Sequence, residues 1–374
     1  MIHVQIIQPT KKSLRPFIQL PFDIYRDNKN WVPPSRKDLL RSLTGKDNEF
    51  FARGIQRYFL AYNDETPVAR VLAGVDLHMS TRIGTTVGYI SLFETYENYE
   101  YAQAVLDAAM RFLREHGVKQ VYGPVAPRYD LLNRGVLVDG FDGPPVLQNA
   151  YNTEAIPHIL EKYGFTKWRD YLAYDILTDQ FPVDRILPMM NRIKERFGFR
   201  VVHVDFTRSN LIRVAQDISA VICEATPDEP GNYMPTTEDL LQLFKRIKPW
   251  MRNESAVMAY AGNQPIGVVL GFLDSSPSMM GTNGRNCPRN LLRRLVKTGQ
   301  TKTARCPVQY VIPEYQNKAV NTVMLAEAVK GAKRMGITRI EGSLVDETHI
   351  ASVNNTQSAG GKLYRRYRVY QMDL

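Results

Sequence analysis

The chain repeats itself, and that constrains its fold more than any other property. Residues 60–76 read LAYNDETPVARVLAGVD and residues 258–274 read MAYAGNQPIGVVLGFLD. Without a gap, Ala61, Tyr62, Pro67, Val71, Leu72 and Asp76 stand over Ala259, Tyr260, Pro265, Val269, Leu270 and Asp274. Each copy is an apolar run, a polar turn ending at proline and a second apolar run, the pattern of a β-hairpin. Segments 92–124 and 311–343 also align without a gap. There Leu106, Ala109, Met110 and Leu113 recur at i, i+3, i+4 and i+7, as do Leu325, Ala328, Val329 and Ala332. That spacing predicts one amphipathic helix per copy. Gly117 and Gly336 are placed to end those helices, because glycine accepts the left-handed turn just past a helix. Short β-rich runs follow at 118–122 and 337–341.

The hairpin copies start at 60 and 258, an offset of 198, and the helix segments at 92 and 311, an offset of 219, so the second half carries 21 extra residues between them. They fall within SSPSMMGTNGRNCPRNLLRRLVKTGQTK. Each half then closes with a helix and strands: AIPHILEKYGF and KWRDYLAYDIL in the first, IASVNNTQSAGGK and LYRRYRVYQMDL in the second. The unit is hairpin, strand, loop, helix, strand, helix, strand. A chain of 374 residues is too long for one typical core. It is expected to divide into domains at 1–178 and 182–374, with the joint at Thr178–Pro182, each an α+β unit with a mixed sheet flanked by helices.

Composition narrows the function classes. Apolar content of 44% and charged content of 23% suit a folded protein and argue against disorder. The N-terminal apolar run in MIHVQIIQPTKKS is too short for a signal peptide and no apolar stretch approaches a membrane span, so no membrane partner and a cytoplasmic location are expected. Three cysteines, Cys223, Cys287 and Cys306, do not make a disulfide framework. The six histidines are scattered without metal-ligand spacing, and no nucleophile elbow or Walker loop occurs, so no metal is expected. The net charge is +10. Basic residues cluster at Arg293, Arg294, Lys297, Lys302 and Arg305, and again at Lys362, Arg365, Arg366 and Arg368. Such clusters suit phosphates on nucleic acid or on a cofactor, or form a solvated basic face. DGFDGPP (139–145) and NKNWVPP (28–34) read either as cleft walls or as packing loops.

The strand, loop and helix of VIPEYQNKAVNTVMLAEAVKGAKRMG (311–336), with IEGSLVDETH (340–349) and GGKLYRRYRVY (360–370), resemble the core of the GNAT acyltransferase superfamily. The chain as a whole resembles bacterial tandem-GNAT proteins described as N-acetyltransferases, through RPFIQLPFDIYRDNKNWVPP (15–34), GVLVDGFDGPP (135–145), NAYN (149–152) and EKYGF (161–165). The resemblance implies two tandem GNAT-like domains and acetyl-CoA or another acyl-CoA as co-substrate, without a metal. It also implies an acceptor that is a small-molecule or peptide amine, attacking the thioester directly. The cofactor pyrophosphate would sit on backbone N–H groups at a helix N-terminus, where unpaired amides and the helix dipole favour anions.

The superfamily loop, Gln/Arg-x-x-Gly-x-Gly/Ala, falls on Gln316, Asn317, Lys318, Ala319, Val320 and Asn321, with Val311 on the strand before it. Ala319 and Asn321 replace the glycines. Alanine resists positive φ, asparagine tolerates it better, and Lys318 adds a charge contact. In the first half Glu97 and Glu100 take the corresponding places and would repel a pyrophosphate, so cofactor binding is expected in the second half. A tyrosine of the superfamily's last helix is missing: Leu160 precedes Gly164-Phe165, and Asn355-Thr356-Gln357 precede Gly360. Tyr364 stands just beyond and is a substitute, or simply a strand residue. After the fifth strand Glu347 is present, and His349 takes the place of an asparagine. Glu347, His349 and Tyr364 are therefore the candidate catalytic residues, with His349 either a base near neutral pH or a helix-capping histidine. Glu94 and Glu314, ending the central strands, are further candidate bases. Three functions stay open: an N-acyltransferase, a non-catalytic relative binding a CoA-like or acylated ligand, and a transferase using aminoacyl-tRNA. Against nucleic acid, the basic cluster lacks interleaved aromatics for stacking on bases.

Overall fold

A computed structural model describes residues 1–45, 54–125, 134–226 and 234–374. The first half runs β1 (Ile2–Ile7), α1 (Leu14–Ile24), α2 (Arg36–Leu43), β2 (Gln56–Asn63), β3 (Thr66–Val75), α3 (Leu77–Ile83), β4 (Val87–Thr95), α4 (Tyr99–Glu115), β5 (Gln120–Gly123), β6 (Val136–Asp139), α5 (Ala155–Tyr163) and β7 (Thr166–Leu177). The second runs α6 (Val183–Phe197), β8 (Arg200–His203), α7 (Leu211–Ala225), α8 (Thr237–Ile247), β9 (Met251–Ala261), β10 (Gln264–Leu273), α9 (Ser276–Met279), α10 (Pro288–Gly299), β11 (Thr303–Val311), α11 (Val320–Arg334), β12 (Arg339–Asp346), α12 (Ile350–Ser358) and β13 (Lys362–Asp373).

The duplication is visible in three dimensions. β2/β3 and β9/β10 are the two antiparallel hairpins, and α4 and α11 are the two long helices. Leu106, Ala109, Met110 and Leu113 are buried, as are Ala328, Val329 and Ala332, so the period read from the sequence is the face each helix turns to the sheet. Gly117 and Gly336 follow those helices with φ of +71° and +75°, and a Cβ on either would meet nothing within 4 Å. Backbone conformation, not space, is what selects glycine there.

The described strands form one continuous sheet in the order β1-β2-β3-β4-β5-β13-β7-β12-β11-β10-β9-β8, with β6 pairing β13. The closing strand of each half has crossed over. β13, from the end of the chain, pairs β5 of the first half, while β7 pairs β12 of the second. The two exchanged strands pair with each other along most of their length. Asp170, on β7 and fully buried, fixes that seam. It accepts from Arg368 Nε at 2.8 Å and Arg366 at 3.2 Å, both on β13, and pairs with Lys167 at 3.1 Å. A carboxylate at this depth is tolerated because every oxygen has a cationic donor.

This corrects the sequence reading of the C-terminal basic cluster as a phosphate patch. Arg366 and Arg368 are turned to Asp170, and Arg365, buried, donates to the carbonyls of Gly143 at 2.6 Å and Pro144 at 3.0 Å. Arg365 thereby ties down DGFDGPP, whose Phe141 carbonyl in turn accepts from Asn30 of NKNWVPP at 3.2 Å. Arg305, counted in the other cluster, is wholly buried.

Candidate active site

Two central parallel strands of the second half diverge where proline breaks their ladder. β11 and β12 run parallel and paired from Thr303/Arg339 to Cys306/Gly342. Pro307 comes next; it has no N–H to give, and the β10–β11 register slips across the same point. Beyond it β11 stays on β10, while β12 stays on β7 as far as Asp346 opposite Tyr171. The opening between them is part of a cavity of about 190 Å³. Where the strands are still paired its walls are mostly apolar, with Val269, Ala304, Ala328, Val329, Ala332 and Ile340 beside Arg305 and Ser255. Where they end it is polar, with Arg134, Tyr171, Tyr310, Asp346 and His349. Burial pushes the Cys306 thiol up to about 12, so this cavity-lining sulfur stays protonated and is no nucleophile.

Each polar group is held by something nearby. The backbone of Arg134 is fixed by a β-bridge to Val125, and its guanidinium donates to the Tyr171 hydroxyl at 3.3 Å. Asp346 accepts from Arg169 at 2.8 Å and, through its other oxygen, from the backbone N–H and hydroxyl of Thr348 at 2.9 and 2.7 Å. His349 precedes α12, and its backbone N–H donates to the Asp346 carbonyl at 3.1 Å. It occupies the N-cap position, but its side chain makes no capping bond. Its Nε2 is buried and has no hydrogen-bond partner. Buried polar atoms are nearly always partnered, so one that is not, on a cavity wall, is available to a bound molecule.

The other candidates lie elsewhere. Glu347 pairs with Lys167 at 2.7 Å and Arg366 at 3.6 Å and accepts from the Asp170 N–H at 3.0 Å, in the seam of the exchanged strands. The Tyr364 hydroxyl donates to Glu341. Glu341, wholly buried, also accepts from Asn149 at 2.9 Å and Ser343 at 3.0 Å and lies 3.6 Å from Arg305. Burial raises the Glu341 carboxyl and Arg305 pulls it back. Glu314 is exposed in a 3-10 turn, Pro313–Tyr315. Glu94 accepts from Tyr25 at 2.5 Å and faces Arg70 at 3.9 Å inside the first half. Of the three catalytic candidates, only His349 lines the cavity. Sequence reasoning missed Arg134, Tyr171 and Tyr310, which no motif marks; Pro307, after Cys306, was a legible sign of where the strands part.

The seven cofactor-loop candidates do come together. Gln316 closes the loop by donating to the Val311 carbonyl at 3.1 Å, and Asn321 accepts from Gln309 of β11 at 2.8 Å. The Lys318 ammonium lies 4.5 Å from the centre of the Tyr315 ring. Asn317 and Ala319 both adopt left-handed backbone, with φ of 61° and 57°. Ala319 thus takes the conformation the absent glycine would have had. No side chain caps α11, and its first turn holds no acid, so the first N–H groups, led by Val320, are left for an anion. The first half contrasts: Asn98 caps α4 by accepting from the Glu100 N–H at 2.8 Å, with the glutamate itself in the first turn. The second loop fits a pyrophosphate and the first does not.

No family model matches the chain. It is 24% identical over 375 residues to Protein YghO of Escherichia coli (strain K12), covering 97% of this chain and 94% of the relative. To the bacterial ceramide synthase of Caulobacter vibrioides (strain NA1000 / CB15N) it is 26% identical over 377 residues, covering 98% and 96%. The tandem GNAT protein from the clavulanic acid biosynthesis pathway superposes over 100% of this chain and 98% of its own, with a TM-score of 0.58 at 9% identity. The chain has the tandem GNAT fold. Each of its GNAT units has a splayed parallel pair; in the first, β4 and β5 are joined only from Val87/Gln120 to Tyr89/Tyr122. The cavity described above opens at the splayed pair of the second, with Arg134 and Tyr171 of the first half in its wall.

Proposed function

We propose that this protein is an acyl-CoA-dependent N-acyltransferase whose reaction takes place in the second GNAT unit, at the mouth of the β11/β12 cavity. The observation that carries the reading is the unpartnered, buried Nε2 of His349 on the wall of the gap between those strands. The acyl-CoA supplies an activated carbonyl. The loop from Gln316 to Asn321 and the uncapped start of α11 would hold its phosphates, with Lys318 adding charge. His349, as the neutral imidazole, takes a proton from the acceptor ammonium, and the freed amine attacks the thioester carbonyl. The C–N bond forms, the C–S bond breaks, and the nitrogen's second proton goes to the departing thiolate. The amide, free CoA and one proton are the products.

Cavity size bears on the acyl group. An apolar cavity of about 150 Å³ admits benzene, so 190 Å³ with mostly apolar walls at its inner end is more than an acetyl group fills. A donor with a longer acyl chain is the better fit. The ceramide synthase relative supports the same direction, since a ceramide is a fatty amide of a long-chain amino alcohol. Thiol release should be followed with acetyl-, octanoyl- and palmitoyl-CoA, each with a long-chain amino alcohol and with simple amines as acceptors. Turnover is expected with the longer acyl groups, and His349→Gln should lower kcat by about 10²–10⁴ while acyl-CoA still binds. Thiol release that His349→Gln leaves unchanged would remove the histidine from the reaction. Absence of thiol release from every acyl-CoA tried would sink the proposal.

A further inference from the structure

The insertion that only the second half carries folds into α9 and α10, and α10 is turned inside out. Its sequence is PRNLLRRLVKTG, yet its only buried residue is Thr298. Leu291, Leu292, Leu295 and Val296 are 47%, 65%, 67% and 50% exposed. At the α-helical spacing of about 100° per residue they occupy a single arc of roughly 140°. Exposed Arg289 borders that arc on one side, with Arg293 and exposed Lys297 on the face behind it, while Arg294 on the other side is half-buried with its Nε and Nη2 inside the protein. No acidic residue occurs between Asp274 and Glu314; the acid whose charge reaches Arg294 is Asp38 on α2. The insertion is anchored to the body through Arg36, which donates to the Asn283 carbonyl at 2.9 Å, and through Asn286, which donates to Ser35 at 3.1 Å.

An exposed apolar arc with exposed cations, Arg289 and Lys297, along one side matches one environment on both counts. At an anionic bilayer surface the aliphatic side chains enter the boundary between headgroups and acyl chains, and Arg and Lys meet lipid phosphates. Nucleic acid would use the cations and gain nothing from four exposed aliphatic residues, which offer no ring to stack on bases. A second protein would cover the arc without needing the charge. We propose that α10 lies in the plane of an anionic membrane and docks the protein there. The inference stands independently of the acyl-transfer reading. Among the described residues no helix is long and apolar enough to cross a membrane; the expectation of no membrane partner rested on that kind of segment, and lying on a surface needs none.

The test is flotation of the full chain with vesicles of phosphatidylglycerol and phosphatidylcholine, against vesicles of phosphatidylcholine alone, at low and physiological salt. Co-flotation with the anionic vesicles, weakened by salt, is expected. Arg289→Gln and Lys297→Gln should each weaken binding about fivefold. Leu292→Glu with Leu295→Glu should abolish it, with the circular dichroism spectrum and acyl-CoA affinity unchanged, since both side chains face solvent. Failure of the wild-type chain to float with anionic vesicles would overturn the proposal, as would binding that survives the double substitution. So would light scattering that shows a dimer dissolved by the double substitution without any vesicle binding, because the arc would then be a self-interface.

Discussion

Ala319→Gly should stabilise the protein, against the usual direction of an alanine-to-glycine change at a helix. Ala319 sits at φ 57°, ψ 13°, the left-handed region, as the N-cap of α11. An L-residue with a Cβ costs about 1–2 kcal/mol there. Glycine removes that cost but gives the unfolded chain more freedom, worth about 0.5–1 kcal/mol. The net is a gain of about 0.5–1 kcal/mol. The capping scale agrees independently: relative to a good N-cap residue, alanine loses about 1 kcal/mol and glycine only a few tenths. The matched control is Ala326→Gly, seven residues along the same helix and wholly buried, which should cost about 1 kcal/mol or more. Urea unfolding at constant slope measures both. One substitution should raise the midpoint and the other lower it. If both lower it, Ala319 is not left-handed, and the account of this loop as a glycine turn made without glycine is wrong.

Asp170→Asn should destabilise by on the order of 3 kcal/mol, because it leaves Lys167, Arg366 and Arg368 around a neutral group in the seam of the exchanged strands; chemical denaturation would read it. Burial alone would raise the Asp170 carboxyl, but hydrogen bonds from Arg368 and Lys167 hold it below its ordinary range. Its contribution is therefore complete at neutral pH and lost as pH falls from about 4 through the lower folded value, so the wild-type and Asp170→Asn stability curves should converge in acid. Lys318→Glu should weaken CoA binding severalfold in calorimetric titration, more at low salt; unchanged affinity would move the phosphate site away from this loop.

What could be read from the sequence was whatever local periodicity and turn chemistry decide. The hairpins, the long helices and the glycines that end them follow from i, i+4 spacing and positive φ, and the duplication doubled each signal. The cofactor loop was legible by position. Its φ values were not, because a sequence shows only that alanine resists the left-handed region and not that α11 packing forces it there. The C-terminal strand misled for a related reason: Arg366 and Arg368 alternate as surface residues do. They are turned to Asp170 because β7, an exchanged strand, brings that carboxylate against them, and strand order has no local signature. His349 and Glu347 are two residues apart in sequence, yet one lines the cavity and the other the seam, a difference the turn after β12 alone decides.

The exchange of strands also explains why the first half, with a loop capped and acidified against phosphate, is still needed. Tyr171 lies on β7 and Arg134 beside β6, both from the first half, and both stand at the mouth of a cavity lined mainly by elements of the second half, β10, β11, β12, α7, α11 and α12. Among the described residues, β7 is the strand that β12 pairs with at that mouth, since its other neighbour β11 has already turned away. Asn149, from the segment NAYN, reaches the buried Glu341 on β12, and the Leu147 carbonyl accepts from Arg305 of β11 at 2.6 Å. Buried contacts of this kind cost most when one side is missing, because a charged or polar group then stays desolvated without its partner. The gap between β11 and β12 is therefore a product of the pair of units rather than of the second alone. A degenerate first loop is no argument against the proposed catalysis: the first unit contributes Arg134 and Tyr171 to the cavity wall, and under the proposal the second supplies the phosphate loop and the histidine.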